Sequence, residues 1–148
     1  MTRLITRPTR SLWRRGREVG PAGVWLLIRA FFLMLTARIA LRSIPVKKII
    51  AWKQRPLHRR EDAKPTERCG QVRWAVLVAA RYSPIDFVCF PQCLAAAELL
   101  RGAGIPSRLH YGVTREGAKL MTHTWLEAAG QIVIGGEVAE KYSTLDIY

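Results

Sequence analysis

The sequence predicts an α+β domain, with helices first and a small antiparallel sheet after them. Two observations carry that expectation. Apolar residues recur at helical spacing in three segments before residue 103, and the period changes to alternation from Ser107 onward. A third observation concerns organisation. Residues 1–60 hold 15 Lys/Arg against one acid, Glu18, while residues 61–148 hold 9 against 10. The net charge of +13 therefore sits in the N-terminal part. The expected division is 1–60, a basic arm with amphipathic helices, and 61–148, a globular core. At 148 residues there is room for one domain with a real core.

Residues 1–20 are Arg-rich, are broken by Pro8, Gly16 and Gly20, and read as an arm. Pro21 suits the first position of a helix, which runs to about Ser43 and is stopped by Pro45. Trp25, Ile28, Phe32, Leu35 and Ile39 share one face of it, with Arg29, Thr36 and Arg38 pointing away. Val24 to Leu41 is apolar enough to raise a membrane span, but Arg29 and Arg38 interrupt it. An Arg near the centre of a span costs about 2.5–3.5 kcal/mol even on a lenient scale, so a buried or interfacial helix is expected. A short basic helix over 46–54 follows, then a polar linker from Arg55 to Glu67 containing Pro56 and Pro65.

Val72 to Arg81 has helical spacing and is broken by Tyr82-Ser83-Pro84. Pro91 to Gly102 is the third strong helix, closed by Gly102 and Gly104. Ser107 to Val113 alternates as a strand, and Gly117 marks a turn. Met121 to Glu127 and Gln131 to Ile134 are two further strands, joined at Ala129-Gly130 as a tight hairpin.

Three cysteines, Cys69, Cys89 and Cys93, are an odd number, and the polar, basic opening of the chain is unlike a secretory signal. Free thiols in a cytoplasmic setting are expected, with membrane association as an extension of it. The basic arm allows nonspecific contact with nucleic acid, but no recognition motif accompanies it, so no specific nucleic-acid partner is expected. Cys89, Cys93, His110 and His123 match no structural zinc spacing, and neither a metal nor a cofactor is expected.

The chemistry rests on Phe90-Pro91-Gln92-Cys93-Leu94 at the start of the third helix and Thr122-His123-Thr124-Trp125-Leu126 on a strand 30 residues later. A cysteine at a helix N-terminus is biased toward thiolate, because exposed N–H groups and the helix dipole both favour negative charge there. A histidine on a neighbouring strand can take the thiol proton and return it to a leaving amine. Cys93 is the expected nucleophile and His123 the expected base, while Cys89, four residues earlier, is read as structural and outside the helix. Continuous pairing through the hairpin sets Leu126 near Val133 and His123 opposite Gly135 or Gly136. Glu137 is then the nearest acid to orient the imidazole. Glu127, about 13 Å along the strand from His123, and a backbone carbonyl are the alternatives. The Cys93 N–H and the Gln92 side chain are the expected oxyanion donors, and His110 and Trp125 the expected cleft residues.

The series Cys93-Leu94, Ala96-Ala97, Leu99-Leu100-Arg101, Gly104 through His110 and Gly112-Val113, then His123 and Trp125-Leu126-Glu127, then Gly130 and Val133 through Gly136, resembles the lasso-peptide biosynthesis B2 proteins. The resemblance covers roughly residues 70–145. These are transglutaminase-like cysteine proteases that remove the leader from a lasso precursor. It implies a papain/transglutaminase-like core in which a catalytic helix packs on a small antiparallel sheet, with the cysteine as nucleophile and the histidine as base. The family's acid falls at or near Gly135 here, a departure that leaves the third role to Glu137 or another group. His-Thr-Trp stands where His-Ala-Trp is commoner. The partners implied are the precursor peptide, a separate leader-recognition B1 protein and an ATP-dependent cyclase. The helix over 22–43 is expected to dock one of these, rest peripherally on an anionic membrane, or pack on the core. Two other classes fit the same residues: a non-catalytic basic module that binds a partner or membrane, and a transglutaminase-type acyltransferase using the same pair.

Overall fold

The computed structural model of the protein describes residues 20–45, 48–49, 64–116, 119–136 and 143–147. Three helices and four strands form in the expected order of classes. Helix α1 spans Gly20–Ser43 and buries Gly23, Ala30 and Met34. Helix α2 spans Pro65–Tyr82 and α3 spans Cys89–Gly102. The strands are β1, Ser107–Glu116; β2, Lys119–Ala128; β3, Gln131–Ile134; and β4, Ser143–Ile147. Lys48 and Ile49 are helical. The rest of the basic helix expected over 46–54 lies outside the described residues, as does most of the linker expected up to Glu67.

Two helices begin earlier than the apolar pattern indicates. Helix α2 starts at Pro65 rather than Val72, so the last residues of the expected linker are helical. Pro65 opens the helix where a missing N–H costs nothing, and Glu67 places a negative charge against the first-turn amides. A polar first turn of this kind carries no apolar periodicity. Helix α3 starts at Cys89, two residues before Pro91. Proline is accepted there because no N–H of the first turn has an intrahelical partner. This places Cys89 in the first turn, not outside the helix as the sequence suggested.

The sheet is antiparallel with order β3-β2-β1-β4. Strand β4, which the sequence reading did not assign, pairs with the outer side of β1. Ala129 and Gly130 both have positive φ, 50° and 71°, as a two-residue hairpin turn requires. A bulge at Leu126/Glu127 shifts the pairing so that Leu126 faces Ile134, one residue on from the expected Val133.

Helix α3 packs across β1, β2 and β3, with α1 and α2 against it. Its run of Leu94, Ala95, Ala96 and Ala97 is small enough for close approach, and meets Leu109, Leu126, Val133 and Ile134 in one core. Arg73 of α2 donates to the Val133 carbonyl at 2.7 Å, tying that helix to β3. Helix α1 contributes Ala30 and Met34 to the same core. Its opposite face is exposed. Replacing fully buried Met34 with alanine is therefore expected to lower stability by about 2–4 kcal/mol, and Ile39→Ala by less than about 0.5 kcal/mol. Urea denaturation of the full chain checks both values.

Candidate active site

Cysteines 89 and 93 stand four residues apart on one face of α3, and both turn toward the same stretch of β2. Strand β3 pairs with Leu126 through Ala128 and reaches no further along β2. Thr124, paired with Tyr111 of β1 on one side, therefore meets α3 on the other, where β3 gives it no partner. Its carbonyl accepts the Cys93 thiol at 3.4 Å, deep in the core, where Cys93 is fully buried. Cys89 lies one turn nearer the helix N-terminus, only partly buried, and the His123 side chain is near enough to influence its thiol.

The environment of Cys89 favours its thiolate. Burial opposes ionisation, but the His123 side chain and the backbone groups of Thr124 and Phe90 outweigh it and hold the thiol below its ordinary range. No side chain caps the N-terminus of α3, so its first-turn amides are not spent on a capping group. Cys69, on α2, is in the opposite situation: burial pushes its thiol up, against a smaller opposing effect from Gln131.

His123 is held from its other side by the main chain. Its Nε2 lies 2.9 Å from the Gly135 carbonyl, which makes Nε2–H the donor. Gly135 has φ +81°, and a Cβ there would lie 2.8 Å from the Thr124 carbonyl oxygen and 3.1 Å from His123 Nε2. A side chain at position 135 is thus excluded on steric grounds, and the Gly135 carbonyl orients the imidazole.

The other expected site residues are distributed as follows. Glu137 lies outside the described residues. Glu127 bonds His110, at 3.0 Å, and not His123. Gln92 donates its side-chain amide to the Phe87 carbonyl at 2.7 Å, which secures the loop entering α3. Trp125 is buried between two imidazoles, stacked on His110 with centroids 5.3 Å apart and on His123 at 6.2 Å. Among the described residues, no three metal-ligating side chains converge.

Both thiols of α3 meet the His123–Thr124 stretch of β2, Cys93 through the Thr124 carbonyl and Cys89 through the His123 side chain, so Cys89 stands beside the expected Cys93 as a second candidate nucleophile that the sequence reading had set aside as structural. Both cysteines recur on one helix face, so spacing alone favours neither.

The thiols of α3 and the imidazole of β2 thus meet where a helix N-terminus packs on a small antiparallel sheet in an α+β domain. A family model described as Transglut_core3, transglutaminase-like superfamily, matches residues 31–146, and the chain belongs to that superfamily. No curated protein and no solved structure matches the chain.

Near neutral pH, Cys89 is expected to react with iodoacetamide faster than Cys69 or Cys93, with a rate profile centred below that of an ordinary thiol. Peptide mapping after timed alkylation checks this, and equal labelling of all three contradicts it. In Gly135→Ala the profile should move up toward that of a free thiol as His123 is displaced. The positive φ and the contact with Thr124 should also cost more than about 1 kcal/mol of stability by denaturation.

Proposed function

We propose that the protein is a cysteine peptidase that removes the leader from a ribosomally made lasso-peptide precursor, with Cys89 as nucleophile and His123 as general base and acid. The observation that carries this reading is the meeting of the α3 N-terminal thiols with Thr124 and with His123, whose ring is held by the Gly135 carbonyl. The motif order along residues 70–145 supports the narrower substrate class.

In this reading His123 Nδ1 takes the Cys89 proton, and the thiolate attacks the carbonyl at the leader–core junction. The Cys89 N–H, in the first turn of α3, is placed to stabilise the oxyanion. His123 then protonates the leaving amine, which becomes the new N-terminus of the core peptide. Water, deprotonated by His123, hydrolyses the thioester and frees the leader with a C-terminal carboxylate. The Gly135 carbonyl keeps the ring oriented throughout. A leader-recognition B1 protein presents the precursor, and an ATP-dependent cyclase consumes the freed amine, all in the cytoplasm.

Mass spectrometry of a precursor peptide incubated with this protein and a leader-binding partner tests the reading. Wild type should give one discrete cut, Cys89→Ala should lose it by more than about a thousandfold, and Cys93→Ala should keep it. No cut despite demonstrated leader binding would favour a non-catalytic module. Incorporation of an added amine in place of water would mark an acyltransferase using the same pair.

A further inference from the structure

Helix α1 packs on α2 and α3 through Gly23, Ala30 and Met34 and turns Val24, Trp25, Ile28, Phe32 and Ile39 to the outside. These five side chains are 43–61% exposed, and their spacing gathers them into one continuous stripe along the helix. An exposed apolar surface of this kind marks an interaction site. Arg29 and Arg42 lie exposed at its margins.

Charge identifies the occupant. In sequence the stripe is bracketed by two basic segments. Residues 1–19 carry six Arg against Glu18, and residues 46–60 carry six Lys/Arg and no acid. An anionic lipid surface matches both features at once, since it accepts an apolar helix face and attracts the surrounding cations. Trp25, near the N-terminal end of the stripe, suits the headgroup boundary. We propose that the outward face of α1 docks on an anionic bilayer, lying along its interface with the stripe turned into the acyl boundary. Helix α1 is long and apolar enough to cross a membrane, its most apolar 18 residues having a mean hydropathy of 1.9. Lying flat is favoured over crossing because the inward face belongs to the protein core and Arg38 donates to the Asp86 carbonyl.

Vesicle flotation of the full-length protein is the test. Vesicles of phosphatidylglycerol and phosphatidylcholine should carry the protein, phosphatidylcholine alone should carry much less, and added salt should release it. Phe32→Glu and, independently, Ile39→Asp should each lower partitioning about tenfold or more. Circular dichroism and the Cys89 alkylation rate should stay unchanged, which confirms that the variants are folded. Wild-type-like partitioning of either folded variant would overturn the proposal. So would equal binding to neutral vesicles, or a solution dimer that fails to float and that Phe32→Glu converts to monomer.

Discussion

The Thr124 peptide is the junction on which the site depends. Strand β3 stops short of it, so its polar groups on that side turn to α3. The carbonyl receives the buried Cys93 thiol, and the backbone also reaches Cys89 one turn above. A buried peptide group left without a partner costs about 1–3 kcal/mol, so this contact fixes both the height and the rotation of α3 against the sheet. Gly135 must then pass close by. Any side chain there would collide with the same carbonyl, so one short strand, one glycine and two cysteines are mutually constrained.

The face of β2 carrying His123 is ordered by stacking. Glu127 holds His110, His110 lies flat on Trp125 with an interplanar angle of 5°, and Trp125 lies against His123. A planar ring fixed on one side by an indole and at Nε2 by a carbonyl has little freedom to rotate. Orientation thus comes from packing and main chain, which explains how His123 keeps its alignment where Glu127 is committed elsewhere.

Much of this arrangement was legible in the sequence. The switch from helical period to alternation located the helices and three of the strands, because each buries one face. His123 was legible for the same reason, since it lies on a strand with Trp125. What escaped were features without periodicity: the polar first turn from Pro65, the short edge strand β4, and the bulge at Leu126/Glu127. The place of Cys89 escaped for a different reason: it lies in a first turn that begins two residues before Pro91, and a helix start leaves no mark in the apolar period.

Helix α1 joins the outer surface to the site without occupying it. From its inward side, Arg38 donates to the Asp86 carbonyl in the segment leading to Cys89, and from the margin of the stripe the exposed Arg29 brings its guanidinium to 3.8 Å from where a Cβ would stand on Gly102, at the other end of α3. A cation there complements the partial negative charge of the α3 C-terminus, while the α3 N-terminus keeps its positive end for the thiolate. The outward stripe is separated from the Arg38 contact by the thickness of one helix, about 10 Å. Whatever covers the stripe therefore touches neither Cys89 nor His123. The same helix can brace both ends of the catalytic helix and present an apolar surface, because the two tasks fall on different side chains. Its composition records this: a helix serving the core alone would carry polar residues where Trp25, Ile28, Phe32 and Ile39 stand.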